Sequence, residues 1–287
     1  MSPALIVFDT ETATCRGAPH LLEIGAIRIV DGDIAEHFEA LVRPEVPIDD
    51  MAFSIHGISD ADVRDARTAN EVLEAFARFA GEDWLAAHNA MFDANVLGFE
   101  AARHALALPG GPLLDSLKLA RRFIPEAEDH KLETLTRHLE LDVDVHHRAL
   151  ADAVSCWKVI EECIARLETA RSATAQVTEA SANDAPPETA LEDVWGELLV
   201  RAGGRASLLS AGPKPPRLSP RLRALEAACR DRSRVTLVYG GDGSVAQLSV
   251  APRILFEMGD KGYLEAECVR SGTIKTYRLD RVQKVLG

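Results

Sequence analysis

Three short segments hold the residues that could do chemistry. Asp9-Thr10-Glu11 ends an apolar run that begins at Pro3. Residues two apart on a strand face the same side, so the carboxylates of Asp9 and Glu11 can reach one metal site together. His88-Asn89-Ala90-Met91-Phe92-Asp93 places a third acid at the start of a helix, just after a short strand. His147-Arg148-Ala149-Leu150-Ala151-Asp152 places a histidine five positions before a fourth acid. Five residues turn a regular helix through about 500°, so that pair does not share a helix face. The spacing predicts His147 on a loop or first turn and Asp152 one turn into the helix. Hard carboxylate oxygens suit Mg²⁺ or Mn²⁺. Histidine is the side chain whose charge ordinarily changes near neutral pH.

Each segment also has a plainer reading. A D-x-E pair at a strand end is what two solvated acids in a turn look like. Asn89 is a good helix cap, and Asp93 would favour the helix dipole. Asp115, after Leu113-Leu114, reads as a cap with a supporting role, and His146 as a surface residue. The argument for a metal-dependent site rests on all three segments in this order.

These residues need a scaffold, and the patterning supplies one. Residues 5–10 are almost all apolar, as in a strand buried on both faces. Leu22–Val30 and Ile34–Val42 read as strands joined by the turn signal Asp31-Gly32-Asp33. Helices are expected over Thr68–Phe79, Phe92–Ala107, Ser116–Arg122, Lys131–Leu139 and Ala149–Leu167, with short strands at Trp84–Ala87 and Pro112–Asp115. Hairpins followed by strand–helix alternation describe a mixed α/β sheet with flanking helices.

At 287 residues the chain has room for two domains. From Ser172 to Glu188 the composition turns to Ser, Ala, Thr, Pro and Asn, as in a flexible linker. A short helix is expected at Leu191–Ala202. A helix from Ser219-Pro220 to about Arg230 follows, then short strands at Val235–Tyr239, Ala246–Val250, Tyr263–Val269 and Lys275–Leu279, with a turn at Gly240-Gly241-Asp242-Gly243. The expected division is 1–170, a linker 171–216 with a short helix, and 217–287. Net charge is −13. Residues 217–287 carry 13 basic and 8 acidic residues, and the rest carries 19 and 37. An acidic body that concentrates carboxylates, with a basic tail that attracts phosphate, fits this asymmetry, as does an ordinary solvated basic domain. No apolar run is long enough to span a bilayer. The five cysteines, Cys15, Cys156, Cys163, Cys229 and Cys268, form no CxxC pair. They are expected as reduced, small buried hydrophobes in a cytoplasmic protein.

Taken together, FDTET, HNAMFDANVL and HRALADA resemble the three motifs of the DEDDh exonucleases. That family includes the proofreading subunit of bacterial DNA polymerase III, ribonuclease T, oligoribonuclease and exonuclease X. Ile55-His56-Gly57-Ile58 and Lys131-Leu132-x-x-Leu135 resemble two accessory signatures, and the likeness covers residues 4–166. It implies a ribonuclease H-like fold. It implies that Asp9, Glu11, Asp93 and Asp152 hold two ions, Mg²⁺ or Mn²⁺, about 4 Å apart. One ion would activate water and the other steady the leaving 3′ oxygen. His147 would be the general base. Thr10, Thr12, His56, His88, Asn89 and Phe92 stand where relatives contact the terminal nucleotide, and Phe53 is either a further stacking side chain or core. Many relatives read D-x-E-T-T-G, whereas this chain continues Thr12-Ala13-Thr14-Cys15. That wording is similar to exonucleases acting on structured or histone-type RNA, so both DNA and RNA stand as substrates.

Residues 234–287 resemble the WYL domain, a small β-barrel-like, SH3-like module of bacterial regulators. The likeness rests on Val238-Tyr239, Ala251-Pro252, Gly262-Tyr263-Leu264 and Lys275 to Val282, with Gly262 in place of the namesake Trp. It implies a pocket of Tyr239, Tyr263, Arg278 and Arg281 for a nucleotide or oligonucleotide. The plainer reading has the tyrosines filling a small core and Asp280–Arg281 forming salt bridges. The combined expectation is a 3′→5′ exonuclease releasing 5′-mononucleotides from single-stranded DNA, in a DNA-repair setting, with a tethered binding module and a homodimer as one assembly. An exoribonuclease is the alternative. A nucleotide-sensing regulator is another, disfavoured because a pure binder has no need of mutually repelling carboxylates.

Overall fold

The structure is a computed structural model that describes residues 4–141, 147–178, 191–201, 206–241 and 244–287. His146, Asp242, Gly243 and residues 179–190 of the expected linker lie outside them. The chain opens with an antiparallel meander of β1 (Leu5–Thr12), β2 (Leu21–Val30) and β3 (Asp33–Arg43). Next come α1 (Asp50–His56), β4 (Arg67–Thr68), α2 (Ala69–Ala80), β5 (Trp84–Ala87) and α3 (Met91–His104). β6 (Pro112–Asp115), α4 (Ser116–Phe123), α5 (Leu132–His138), α6 (Ala149–Thr178), α7 (Leu191–Arg201) and β7 (Ala206–Ser207) complete the larger body. Its sheet order is β4-β3-β2-β1-β5-β6-β7, with β5 parallel to β1 and to β6.

β1 sits at the centre, and its period-2 alternation sorts its side chains. Leu5 and Val7 enter the core beneath α4, α5, α6 and α7, while Ile6 and Phe8 enter the core beneath α2 and α3. Both faces are covered, which is why residues 5–8 form an unbroken apolar run. Several helices start where short-range chemistry says they should. Thr68 and Glu71 make a reciprocal capping box at α2. Asp49 caps α1 through Ala52 N–H at 2.6 Å and also takes Cys15 N–H at 2.9 Å, tying the loop after β1 to that helix.

The segment expected as a linker is structured at both ends. α6 runs on to Thr178. In α7, Val194, Trp195, Leu198 and Leu199 are buried in the core beneath α6, and the Trp195 ring lies 6.0 Å from that of Trp84. β7 adds an antiparallel edge to β6. The helix itself was expected at Leu191–Ala202; its burial was not legible, because its large apolar residues pack against distant elements, Trp195 against Trp84 of β5 among them.

The smaller body follows a 3₁₀ turn at Pro220–Leu222. It contains α8 (Ala224–Asp231), β8 (Val235–Gly241), β9 (Ser244–Met258), β10 (Lys261–Cys268), β11 (Thr273–Arg278) and β12 (Val282–Leu286). The strands form a separate antiparallel sheet in the order β11-β10-β9-β8-β12. β9 continues well past Val250, where the strand was expected to stop. Pro252 sits beside a register shift at Glu265/Ala266, the kind of irregularity where a missing N–H is tolerated. At Gly262 an added Cβ would lie 2.9 Å from Leu279 Cδ1 and 3.0 Å from Pro216 Cβ, so neighbouring side chains crowd the place of the namesake Trp.

The two bodies are docked. Arg103 of α3 forks onto Glu265 of β10 at 2.8 and 2.9 Å and reaches Glu100 at 2.8 Å, with all three side chains buried. Of the cysteines, Cys156 and Cys163 are buried, Cys229 and Cys268 are partly buried, and Cys15 is exposed, against the expectation of uniform burial. Among the described residues, no helix is long and apolar enough to cross a membrane.

Candidate active site

The end of β1 gathers the acids. Asp9 lies opposite Gly25 in the β1–β2 register, and Glu11 opposite Glu23. Alternation places Asp9 and Glu11 on the side of Leu5 and Val7, facing α6. Gly25 lets α6 come close, since a Cβ there would stand 2.1 Å from Leu150 N. Glu23 then fixes the first turn of that helix. It is fully buried, accepts from Ala149 N–H at 2.9 Å and takes the Arg148 guanidinium at 2.6 Å. His147 precedes the helix with φ 62°, and its N–H donates to Asp152 Oδ2 at 3.0 Å. Such left-handed backbone costs a non-glycine residue roughly 1–2 kcal/mol. It closes the His-to-Asp spacing into a clasp that returns the imidazole toward the acids. Ligating atoms of Glu11, His147 and Asp152 lie within 4.8 Å of one another.

Thr10, between the two β1 acids, faces the other way, toward α3. Its N–H and hydroxyl donate to Asp93 Oδ1 at 3.0 and 2.7 Å. Asn89, at φ 59°, makes the turn from β5 into α3 that delivers Asp93. Asn89 does not cap the helix through its side chain. Asp115 is a cap, accepting from Leu117 N–H at 3.1 Å at the start of α4.

The acids crowd one another without enough cations. Burial, then repulsion from Asp93 and Asp152, pushes Asp9 well above its ordinary range. Burial, with Asp152 and Glu23 adding, raises Glu11 to about 8. Burial raises Asp93 to about 7 against the opposing hydrogen bonds of Thr10. Apo carboxylates so placed resist ionisation, and bound divalent cations would reverse that. The donor set, hard oxygens with one imidazole at its edge, fits Mg²⁺ or Mn²⁺.

A groove of about 920 Å³ opens beside this cluster. Glu11 lines it, as do Thr12, His56 and Phe92 among the residues expected at the terminal nucleotide. Phe92 is half exposed at 50%, and Ile55, on α1, is 47% exposed at the same groove. Phe53 is also exposed, so it is not core. Three expected contacts are placed differently. Thr10 is buried and spends its hydroxyl on Asp93. His88 has its ring nitrogens on Ser116 Oγ at 2.8 Å and His130 O at 2.9 Å. Asn89 lines a different pocket with His88, Arg121 and His130.

Of the tail residues expected as a pocket, Tyr239, Tyr263 and Arg278 lie close together: Arg278 N–H donates to the Tyr239 hydroxyl at 3.3 Å, and Arg278 stands opposite Tyr263 in the β10–β11 register. Tyr239 packs edge-on to Tyr277 in the small core, and Tyr263 stacks on Phe256 at the junction of the two bodies. The Arg278 guanidinium is bound to Asp280, and Arg281 is exposed. Sequence reasoning also passed over Gly25, Glu23 and Arg148. Their signal was there to see: an acid and a glycine inside the apolar strand Leu21–Ile29, each out of place unless something approaches it.

A sheet of this order, with four carboxylates and a histidine at the end of its central strand, defines a metal-dependent nuclease of the ribonuclease H-like class. The family model described as "Exonuclease" matches residues 6–160, and the "WYL domain" model matches residues 220–286. The chain belongs to the 3′→5′ exonuclease family of DEDDh type and carries a C-terminal WYL domain. Among curated relatives, the DNA polymerase III PolC-type protein of Oceanobacillus iheyensis is 34% identical over 166 residues, 55% of this chain and 12% of that protein. That of Bacillus cereus is 32% identical over 148 residues, 51% of this chain and 10% of the other. The chain thus spans about a tenth of the length of these relatives. A solved exonuclease X in complex with 5′ overhanging duplex DNA is 29% identical, with 58% of this chain and 93% of that chain covered and a TM-score of 0.45. Cell-death related nuclease 4 shares the fold at TM-score 0.50 and 13% identity, over 57% of this chain and 64% of its own.

Proposed function

We propose that this protein removes nucleotides one at a time from the 3′ end of DNA, preferring unpaired strands and releasing 5′-mononucleotides. The observation that carries the reading is the convergence of Asp9, Glu11, Asp93 and Asp152, the first three with raised carboxyl pKa values, with His147 at their edge. A structural cluster would have been neutralised by Arg or Lys; in this one Arg148 is engaged mainly on Glu23. Asp9, Glu11, Asp93 and Asp152 would hold two divalent ions, Mg²⁺ or Mn²⁺. Bound there, such ions supply activation of water and stabilisation of the leaving 3′ oxygen. His147 sits on a solvent-exposed loop within reach of Glu11 and Asp152, suited to take the proton of the attacking water. Phe92 and Ile55 offer apolar surface to the terminal base. Thr10 and Glu23 act behind the site, one holding Asp93 and the other holding the start of α6.

The DNA polymerase III relatives favour DNA as the substrate. The test is degradation of 5′-labelled single-stranded DNA and RNA with Mg²⁺ and with chelator. Metal-dependent laddering from the 3′ end of DNA, lost in Asp9→Asn and His147→Ala, is expected. Preferential RNA laddering would reassign the substrate, and no cleavage of either polymer would defeat the enzymatic reading.

A further inference from the structure

The groove beside the acids has two walls, and only one of them belongs to the exonuclease body. Phe92, Asn95 and Phe99 of α3 line the first with Ile55 and His56 of α1. The second is made by Lys214 and by Glu257, Met258 and Gly259 at the β9–β10 turn of the small body. The wall is built in. Glu257 N–H donates to Lys214 O at 2.8 Å, and Gly259 takes φ 62° at the turn. Gly212 N–H donates to Asn95 Oδ1 at 3.3 Å, and Gly98 and Gly212 touch backbone to backbone, where a Cβ on Gly98 would lie 2.5 Å from Gly212 Cα. Behind the wall, Phe256 meets Phe99 edge-on at 5.3 Å, and Arg103 is forked onto Glu265. These contacts hold the small body against α3 at one register.

Among the described residues lining the groove, Lys214 is the only lysine or arginine. It is exposed, and Met258, also lining the groove, is 41% exposed. A volume near 920 Å³ lies at the top of the range of about 300–1,000 Å³ for small-ligand pockets, and the groove is open rather than closed. It has room for more than a terminal nucleotide. A strand whose 3′ end lies at the carboxylates can leave through this groove, which would carry phosphates past Lys214 and bases past apolar side chains on both walls.

We propose that the C-terminal domain is the second wall of the substrate groove, with Lys214 contacting a backbone phosphate upstream of the terminal nucleotide and Met258 packing on a base. The occupant is single-stranded nucleic acid. This rests on the exonuclease reading, and it changes the small domain from a tethered module to part of the binding site. Stacking with one phosphate contact is the ordinary grammar of single-strand binding.

The experiment measures binding of a fluorescein-labelled ten-nucleotide single strand, DNA and RNA in separate arms, to the full chain in EDTA by anisotropy at several salt concentrations. Hydrolysis of a chromogenic mononucleotide ester by the wild type with Mg²⁺ is read in parallel and reports the carboxylate site alone. Lys214→Glu is expected to weaken oligonucleotide binding about tenfold and to lower the salt slope by about 0.7, one single-strand phosphate. Met258→Ala should weaken it about threefold. Lys284→Glu, on β12 outside the groove, removes the same charge and should leave binding unchanged. Equal effects of Lys214→Glu and Lys284→Glu, an unchanged affinity in Lys214→Glu, or no binding by the wild type would each overturn the proposal. Ester hydrolysis persisting in that last case would leave the exonuclease reading intact, and its absence with oligonucleotide binding retained would defeat that reading alone.

Discussion

Two buried clusters of acids in this chain have opposite electrostatics. At the end of β1, burial and mutual repulsion hold Glu11 near 8 and Asp93 near 7. At the junction of the two bodies, burial pushes Glu265 up as well, but hydrogen bonds from His20 and Arg103 and the Arg103 charge outweigh it and bring Glu265 to about 2. Glu100, buried beside them, is likewise held below its ordinary range, its own burial outweighed by His104, Arg103 and a backbone N–H. Depth does not separate the two sites; partners do. The junction is electrically complete within the chain, as a structural network must be. At the β1 site, among the described residues, burial and repulsion outweigh the nearby Arg148 guanidinium, and carboxyls perturbed in this way mark a candidate functional site.

The contrast can be broken most severely at Asp9. Asp9→Asn should lower metal-dependent exonuclease turnover by at least about 10⁴-fold, about 5.4 kcal/mol of barrier. It should also raise the melting temperature of the metal-free protein, because a buried carboxyl that repels Asp93 and Asp152 whenever it ionises is replaced by a neutral amide. Gel-based turnover and thermal melting in EDTA would check both. Joint loss of activity and stability would place this cluster with the junction instead.

Arg103→Met attacks the other side of the comparison. It strands Glu265 and Glu100 without their main cation, so the chain should lose about 3–4 kcal/mol, read from urea denaturation. Changing Glu265 to Gln in the same chain should recover part of that loss, since the stranded charge is then gone. A smaller effect is expected at Gly25. The Cβ of Gly25→Ala would collide with the backbone of Leu150 and displace the first turn of α6. Turnover should fall about 10²-fold through misplacement of Asp152 and His147. Affinity for an oligonucleotide in EDTA should change far less, because the groove walls are elsewhere.

The two clusters also differ in how well the sequence disclosed them. Asp9, Glu11, Asp93 and Asp152 stand in short segments whose local order is itself the signal, and β1, β2, β5 and α2 have boundaries within a residue or two of their apolar periodicity. Arg103 and Glu265 are 162 residues apart and sit in unremarkable stretches of α3 and β10, so no local pattern connects them. The same reason hid where the expected helix α7 packs, since its Trp195 finds its partner in the distant Trp84. It hid the second wall of the groove too, because Lys214 follows a Gly-Pro break that reads as spacer. Thr10 and His88 show the converse error. Their motif positions were plain, but only three-dimensional partners reveal that Thr10 supports Asp93 and His88 supports the loop at His130.

The gentlest test uses pH alone. Glu265 has a folded pKa near 2, below its ordinary 4.5, so the unfolded chain binds the extra proton between those values. Its contribution is present above about pH 4.5 and is lost as pH falls through 2. Glu11 has the opposite sign. Its folded pKa near 8 means that the folded chain binds the extra proton between about 4.5 and 8. Without metal, stability should therefore fall as pH rises through that window. A shift of about one to two kcal/mol corresponds to a few degrees in a protein of this size. Melting curves in EDTA from pH 5 to 9 should decline, and saturating Mg²⁺ should flatten the decline by favouring the ionised acids. Replacing Glu11 with Gln should weaken both the decline and the Mg²⁺ effect, while leaving the acid limb below pH 4.5 where Arg103 and Glu265 set it. A metal-free melting profile that rises toward pH 9 would mean that the β1 acids find cationic partners within the folded chain after all.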